Sequence, residues 1–267
     1  MSTAVVFGST GAVGSQILTT LLSSTTCTSV TTISRRAPAA QHPQHHPIVE
    51  PDPGSWGKQI ATLSPVPTAA YNAVGTTLGG AGGSIAKQRA IDHDLCIANA
   101  QAAKAAGVKT YVYCSSAGTS GALSPFALTP YAQMKRGIEQ AIKGLGFENA
   151  VILRPGMILG RERPKNKWLE DLFGQFKLFG QGFQDRWGED SNLFSFFFFL
   201  FLSSVGDWIW TRGRQSLTSP HAAQDQSVIG RAAVAAVEQI QKGKAPSEFW
   251  VLEQADIVRL GRDDWGS

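Results

Sequence analysis

The chain has 267 residues, with 24 Lys and Arg against 20 Asp and Glu, and only 16% of its residues are charged. A hydrophobic content of 43% excludes a disordered protein, and the length suits one α/β domain, with or without a long insertion. A net charge of +4 without runs of Lys or Arg argues against nucleic acid as a partner.

The cysteines and the N-terminus bear on the cellular compartment. Cys27, Cys96 and Cys114 lack paired spacing, so we expect a reducing compartment, no disulfide framework and no metal site. Met1 is followed almost at once by an apolar strand, so we expect no cleavable targeting peptide. The apolar run at residues 193–202 is too short to cross a membrane, for which about 20 apolar residues are needed.

The first elements alternate strand and helix. Residues 4–7 predict a strand, and a glycine turn and an amphipathic helix follow it. The β-branched run at 29–34 predicts a second parallel strand. Residues 38–54 are rich in Pro, His and Gln and predict a loop. Their histidines lack a Cys or carboxylate pattern, so they do not indicate a metal site.

The alternation continues to residue 160. We predict a strand at 69–74, a helix at 85–106 that ends at Gly107, a strand at 110–114, a helix from Pro130 to about residue 142 and a strand at 150–153. Strands and helices that alternate at this spacing predict an α/β fold, a doubly wound parallel sheet of the Rossmann type.

Residues 161–223 break the pattern. They hold ten of the 14 phenylalanines without a strand or helix period. We therefore predict a single domain with a core at 1–160, an irregular hydrophobic insertion at 161–223, and a C-terminal helix and strand at 224–267 that complete the domain. The insertion is interpreted as a membrane-docking patch, a substrate lid or a translated intron. The last is preferred, because a pyrimidine-rich tract encodes phenylalanine runs.

The glycine turn has the pattern GxxGxxG, with Gly8, Gly11 and Gly14 between the first strand and the first helix. Glycines here let the backbone turn tightly and approach a pyrophosphate, while the helix N-terminus offers amide donors to the anion. A purely structural turn is the alternative. The position between strand and helix favours dinucleotide binding.

The second strand ends in Arg35 and Arg36 without an acidic residue. An acid at this place holds the ribose hydroxyls of NAD, whereas arginine favours the 2′-phosphate of NADP. The alternative is two solvated arginines. We predict NADP (NADPH) as the cofactor, and the missing acid also argues against an S-adenosylmethionine enzyme.

Tyr131 and Lys135 are four residues apart on a predicted helix, so both side chains share one face. A phenol has a reference pKa of about 10, and a neighbouring ammonium favours the phenolate, which makes proton exchange with an alcohol or carbonyl feasible. Ser116 ends a central strand 15 residues earlier. A solvated surface pair is the alternative, but the order of the motifs favours a catalytic set.

These motifs together resemble the short-chain dehydrogenase/reductase superfamily in its atypical branch. GTT at 75–77, IDHDL, SSAG, YAQMK, RPGMILG and QDQSVIGRAAVAA are more closely similar to the fungal FMP-type mitochondrial proteins, relatives of the Tat-interacting oxidoreductases. The resemblance covers residues 1–160 and 224–265. It does not extend to residues 161–223.

The resemblance implies a role for each matching residue. Tyr131 would be the catalytic acid/base, Lys135 would bind the nicotinamide ribose, and Ser116, or less favourably Ser115, would hold the substrate carbonyl. The other expected cofactor contacts are Gly8, Ser9, Thr10, Gly11, Val13 and Gly14 at the pyrophosphate, Arg35 and Arg36 at the 2′-phosphate, Thr76 and Thr77 along the adenosine, and Pro155, Gly156 and Ile158 beside the nicotinamide.

The predicted function is an NADP-dependent oxidoreductase acting on a small-molecule carbonyl or alcohol. The alternatives are a non-catalytic NADP-binding sensor or scaffold at the mitochondrial surface, and a membrane-tethered interaction protein built around the phenylalanine patch. The resemblance implies peripheral association with the cytosolic face of the mitochondrial outer membrane, with a cytoplasmic protein as the alternative. The sequence does not predict an oligomeric state.

Overall fold

A computed structural model of the chain describes residues 2–77, 79–119, 129–159 and 223–266. Its strands in chain order are β1 (Ser2–Phe7), β2 (Cys27–Ser34), β3 (His45–Val49), β4 (Ala69–Asn72), β5 (Thr110–Cys114), β6 (Asn149–Leu153), β7 (Met157–Leu159), β8 (Ala223–Asp225) and β9 (Phe249–Leu252).

The α-helices in the described residues are α1 (Ala12–Ser23), α2 (Trp56–Ala61), α3 (Ile85–Arg89), α4 (Leu95–Ala105), α5 (Pro130–Gly144), α6 (Gln226–Gln241) and α7 (Gln254–Val258). A short 3-10 helix, Pro53–Ser55, precedes α2, and a π-helical turn, Arg259–Asp263, follows α7. A π-helical turn, Ala90–Asp94, joins α3 to α4, so the predicted helix at 85–106 is confirmed as a helix with a widened turn inside it. Gly107 follows α4 with a φ of +89°, as its predicted place after the helix requires.

Seven of the strands form one parallel sheet in the order β3-β2-β1-β4-β5-β6-β9. From β1 the chain moves outward to β2 and β3, then crosses back to place β4 on the other side of β1. In open α/β sheets ligands bind where the strand order reverses, outside the carboxyl ends of the strands. The predicted doubly wound fold is confirmed, and this reversal places the glycine turn after β1 at the expected crevice.

Side chains that alternate along the central strands divide the core between the two sheet faces. Ala4 and Val6 pack in a cluster with α1, α6 and α7, whereas Val5 and Phe7 pack in a second cluster with α2, α4 and α5. Strands buried on both faces are expected for a parallel sheet covered by helices. The strand ends at the crevice are therefore held on a rigid scaffold.

The prediction of a loop throughout residues 38–54 is wrong. β3 lies within that range and forms the edge of the sheet beside β2. His45 is buried, with Nδ1 donating to the Ala40 carbonyl at 3.0 Å and with a hydrogen bond of 2.9 Å between Nε2 and the Thr32 hydroxyl. Proline is tolerated on an edge strand, so Pro47 does not prevent pairing.

Most of the predicted insertion at 161–223, including the phenylalanine run, lies outside the described residues. Its interpretations and the domain boundaries stay predictions. β8, at the far end of that range, pairs in parallel with β7 in a separate two-stranded sheet. In the parts of the chain that the structure describes, no helix combines the length and apolar character needed to cross a membrane.

Candidate active site

The turn after β1 requires glycine at two positions for different reasons. Gly8 has a φ of +78°, and a Cβ there would lie 2.8 Å from the backbone of Ala73, which follows β4. A Cβ on Gly14 would lie 2.1 Å from the Gly8 carbonyl oxygen. These contacts bring the first turn of α1 directly against the end of β1, as a pyrophosphate-binding turn requires.

The same turn presents unused hydrogen-bond donors, which fit an anionic ligand. Ser9 is buried, and its Oγ has no hydrogen-bond partner among the described residues. The N-cap of α1 is Gly11, so no side chain caps the helix, and its first turn holds no acidic residue. Orphaned donors and a helix N-terminus together suit a phosphate group.

Two other residues assigned to this turn lie on either side of it. Thr10 is exposed at the tip of the turn. Val13 has its side chain in the core against α6, so a contact with phosphate would come from its backbone.

The end of β2 carries exposed cations beside the glycine turn. Ile33 pairs with Phe7, so Arg35 and Arg36 leave the sheet next to Gly8, and both are exposed. A nearby acid is Glu50, whose amide donates to the Ser34 carbonyl.

The carboxylate of Glu50 is occupied within the fold. Its Oε1 accepts from the Asp52 amide at 3.0 Å and its Oε2 accepts from Gln59 Nε2 at 3.2 Å. Each carboxylate oxygen of Glu50 thus already accepts one hydrogen bond within the fold.

The loop after β4 is held from below by a buried carboxylate. The Thr76 amide donates to Asp92 Oδ1, and Gln88 Nε2 donates to Asp92 Oδ2 at 3.2 Å. Burial raises the pKa of Asp92, and the nearby charge of Lys135 opposes that shift. The π-helical turn that carries Asp92 thus holds Thr76 and its neighbour Thr77 in the loop after β4.

Tyr131 and Lys135 lie on the first turns of α5, which begins at Pro130 after the N-cap Thr129. Lys135 is 4% exposed, and its Nζ lies 5.8 Å from the centre of the Tyr131 ring. Nζ also donates to Tyr113 Oη at 2.9 Å and to the Cys114 carbonyl at 3.4 Å. The predicted pair is therefore a buried ammonium beneath a half-exposed phenol at the end of β5.

The electrostatics of this pair follow from burial. Burial raises the pKa of Tyr113 well above 10, so its phenol is neutral and accepts from Lys135. Burial lowers the pKa of Lys135, whereas electrostatic interactions with Tyr113, Tyr131 and Cys96 and the hydrogen bond to Tyr113 raise it, and the net shift of the pKa is upward. The ammonium is retained at neutral pH.

The two serines after β5 have different surroundings. Ser115 is buried, and its Oγ donates to Glu139 Oε1 at 2.5 Å. Ser116 is half-buried, with an Oγ that makes a long 3.3 Å contact with the adjacent Ala117 carbonyl. Ser115 is committed to the interior, which favours Ser116 as the serine that can reach a substrate.

Glu139 is the centre of a buried network beneath Ser116. Arg154 donates to it from Nε at 3.2 Å and from Nη2 at 2.6 Å, and Nη1 reaches Glu253 at 2.8 Å. The Thr119 hydroxyl also donates to Glu139, at 3.2 Å. Helix α5 is thereby tied to the chain ends that follow β5 and β6.

The residues after β6 continue from that network. Pro155 is buried, and its carbonyl accepts from the Ala117 amide at 2.8 Å, which joins the two loops. Gly156 is half-buried, and the half-buried Ile158 packs against the core cluster of α1 and α6. The structure thus brings Pro155 and Gly156 to the serines, while Ile158 faces the core.

Sequence reasoning missed three residues of this region. Tyr113 lies on the strand that ends in the two serines, Glu139 lies four residues after Lys135 on the same helix, and Asp92 lies inside a predicted helix. The spacing of Glu139 was a usable signal, since positions i and i+4 share a helix face. In the sequence Tyr113 is interpreted as a core residue and Asp92 as a surface residue, because only the tertiary contacts show their partners.

The strand order, the glycine turn and its orphaned donors define a Rossmann-type dinucleotide-binding protein. In agreement, residues 8–173 match the profile of a protein family described as NAD(P)H-binding. The chain is 53% identical over 265 residues to "Protein fmp52-2, mitochondrial" of Aspergillus oryzae, covering 99% of each chain. It is 41% identical over 269 residues to "Protein FMP52, mitochondrial" of Chaetomium globosum, again covering 99% of each.

The chain therefore belongs to the NAD(P)H-binding family and, within it, to the FMP52-type mitochondrial proteins. This confirms the family predicted from the motifs. Solved structures agree on the fold. The UDP-Glc/GlcNAc 4-epimerase of Campylobacter jejuni superposes with a TM-score of 0.62 at 13% identity, over 97% of this chain and 82% of that one. MoeE5 in complex with UDP-glucose and NAD gives 0.58 at 14% identity, over 98% and 82%.

Proposed function

We propose that the protein is an NADP-dependent oxidoreductase of the short-chain class that transfers hydride between the nicotinamide and a carbonyl or alcohol substrate. The observation that carries the proposal is the Lys135 ammonium, buried beneath Tyr131 at the end of β5. β5 pairs with β4, and β4 pairs with β1, which leads into the glycine turn. The acid/base pair and the phosphate-binding turn thus both lie at the carboxyl ends of the central strands.

Each residue of the set has a distinct task in this reaction. The bound nicotinamide supplies or accepts the hydride. Tyr131 donates a proton to the carbonyl oxygen in the reducing direction and takes it back in the oxidising direction. Lys135 favours the phenolate form of that tyrosine and binds the nicotinamide ribose, and Ser116 hydrogen-bonds the substrate oxygen. Pro155 and Gly156 would border the nicotinamide from the loop after β6.

The preference for NADP rests on the end of β2. Arg35 and Arg36 are exposed there, and the carboxylate of Glu50 is engaged by Asp52 and Gln59. Guanidinium groups bind phosphate bidentately, whereas an NAD site of this kind has an acid at the end of the second strand, where this chain has the two arginines. The solved structure of MoeE5 contains NAD, but at 14% identity it speaks for the fold alone.

Titration of the purified protein with NADPH and NADH, followed by cofactor fluorescence, tests this preference. We expect tighter binding of NADPH, and loss of about 1.5–3 kcal/mol of that binding in Arg35→Ala, the range for hydrogen bonds to a charged group. Arg262→Ala, which removes an exposed arginine from the C-terminal turn, is the matched control and should leave both affinities unchanged. Equal affinities of the wild type for NADPH and NADH, or the same loss of NADPH binding in both variants, would contradict the proposed role of Arg35.

A panel of aldehydes, ketones and quinones tests turnover. We expect NADPH oxidation that Tyr131→Phe lowers by at least about 100-fold, within the range for loss of a general acid/base. Tyr111→Phe removes a buried hydroxyl from β5 and should keep most of the activity. If wild type binds NADPH and turns over no member of the panel, the non-catalytic sensor or scaffold interpretation is favoured instead.

We also propose peripheral association with the cytosolic face of the mitochondrial outer membrane. The relatives named above are described as mitochondrial, which supports an organelle-associated protein. Extraction of isolated mitochondria with alkaline carbonate should release the protein, and protease added to intact mitochondria should digest it. Retention in the carbonate pellet, or protection from protease, would contradict this location.

The alignments also bear on residues 161–223. Relatives align over 265 and 269 positions and 99% of each chain, so the alignments run through this segment. That observation supports an authentic segment, such as a lid or a membrane-docking patch, over a translated intron. Sequencing the transcript across codons 161–224 tests the choice directly.

A further inference from the structure

Tyr113 is a fully buried tyrosine whose hydroxyl lies against the catalytic pair. It is 0% exposed on β5, and its Oη accepts from Lys135 Nζ at 2.9 Å. Nζ also lies 5.0 Å from the centre of the Tyr113 ring, so the ammonium contacts both the hydroxyl and the ring face. The second acceptor, the Cys114 carbonyl, is more distant at 3.4 Å.

Another tyrosine on the same strand provides an internal comparison. Tyr111 lies two residues earlier on the same sheet face and is also 0% exposed. Its Oη accepts from Asn72 Nδ2 at 3.0 Å, a neutral partner on β4. Two buried phenols of equal size therefore differ in their partner, and one of them holds the catalytic cation.

We propose that Tyr113 is a positioning residue that holds the Lys135 ammonium beneath Tyr131. The proposal rests on the proposed function, since it assigns Tyr113 a role through that pair. An ammonium has three N–H donors. In the described part of the chain Tyr113 and the Cys114 carbonyl take two of them, which leaves one for Tyr131 or for the nucleotide ribose.

Removal of the Tyr113 hydroxyl should weaken the charge beside Tyr131. The variant Tyr113→Phe keeps the ring but leaves the buried ammonium with the longer of its two hydrogen bonds. Burial disfavours a charged amine that has lost an acceptor, so Lys135 gives up its proton more readily. Formation of the Tyr131 phenolate then proceeds with less help from a neighbouring positive charge.

Other titratable groups around Lys135 do not hydrogen-bond to its ammonium. Cys96 faces it from α4, and burial raises the pKa of that thiol to about 12, so the thiol is neutral. Asp92 interacts with Lys135 by charge from the π-helical turn, but its carboxylate accepts hydrogen bonds from Thr76 and Gln88, and no hydrogen bond joins it to Lys135 in the described part of the chain. Loss of the Tyr113 hydroxyl should therefore lower the pKa of Lys135.

The ionisation of Tyr131 can be measured without cofactor or substrate. The chain has four tyrosines. Tyr71, Tyr111 and Tyr113 are at most 1% exposed, and burial raises the pKa of each. The part of the tyrosinate absorbance that the variant Tyr131→Phe lacks therefore reports the ionisation of Tyr131.

The decisive experiment is this titration in the wild-type protein, Tyr113→Phe and Tyr111→Phe, with circular dichroism followed at each pH to confirm folding. We expect the Tyr131 midpoint to rise by at least half a pH unit in Tyr113→Phe, about a threefold change in proton affinity. Tyr111→Phe should leave the midpoint unchanged. An unchanged or lowered midpoint in Tyr113→Phe, or an equal rise in both variants, would overturn the proposal.

The titration also separates this inference from the proposed function. Should the protein turn over no substrate, the midpoint still reports whether Tyr113 acts on the pair. Where turnover is found, Tyr113→Phe should lower kcat and displace the pH profile in the same direction, with little change in the KM for substrate. A loss confined to KM would overturn the positioning role while leaving the oxidoreductase assignment intact.

Discussion

Replacing Glu139 by alanine removes the carboxylate that ties α5 to the chain ends after β5 and β6. Glu139 is 7% exposed in its side chain, and its partner Arg154 is 13% exposed. Loss of one partner of a buried ion pair costs about 3–5 kcal/mol. We expect the lower end, about 3 kcal/mol, because Arg154 keeps Glu253 at 2.8 Å. The buried Ser115 hydroxyl also loses its acceptor, which adds about 1 kcal/mol.

The expected total of about 4 kcal/mol is a large part of the roughly 5–15 kcal/mol that stabilises a folded domain. It corresponds to a fall in Tm of about 8–16 °C for a domain of this size. Urea unfolding of the ligand-free protein at pH 7, followed by tryptophan fluorescence and circular dichroism, measures the free energy of unfolding directly.

Glu238→Ala provides the matched control. Glu238 lies on α6 and accepts from the hydroxyls of Ser24 and Thr26, both at 3.0 Å, and no arginine pairs with it among the described residues. We expect its loss to cost about 1 kcal/mol. If Glu139→Ala lies within about 1 kcal/mol of this control, the reasoning about the buried network is refuted.

Three further substitutions test other parts of the site. Gly14→Ala places a Cβ 2.1 Å from the Gly8 carbonyl oxygen and should abolish NADPH binding. Gly144→Ala, whose new Cβ would have no atom within 4 Å, should bind NADPH normally. Normal binding by both variants in a fluorescence titration would contradict the role of the glycine turn. Ser9→Ala removes a buried hydroxyl that has no partner among the described residues, so it should stabilise the ligand-free protein by about 1 kcal/mol. The same variant should bind NADPH more weakly. If calorimetry finds the stability and the NADPH affinity unchanged, Ser9 does not contact a phosphate. Burial raises the pKa of Asp92, so its stabilising contribution is present below the ordinary Asp pKa of about 3.9 and is lost as pH rises through the raised folded value. Between pH 4 and pH 7 the free energy of unfolding should therefore fall less in Asp92→Asn than in the wild type. An equal fall in both proteins, measured by urea unfolding, would contradict this expectation.

Local sequence patterns predicted most of the described helices and strands, because the residues at the ends of each element indicate where it begins or stops. Gly107 follows a helix with a positive φ, Pro130 begins another helix, and the predicted strand at 110–114 has the observed bounds. β3 escaped prediction, because its His and Pro residues favour a loop in isolation. Pairing along the sheet edge and two buried hydrogen bonds of His45 outweigh that preference.

The amino-acid sequence by itself determined the class of this protein. The GxxGxxG turn after the first strand, a Tyr and a Lys one helical turn apart, and arginines after the second strand are properties of short segments, so they can be recognised without coordinates. The partners of those residues depended on the tertiary structure. Tyr113 meets Lys135, and Glu139 meets Arg154, across 22 and 15 residues of chain, because the packing of α5 on the sheet brings them together. Burial then keeps the Tyr113 phenol neutral, which no local pattern can specify.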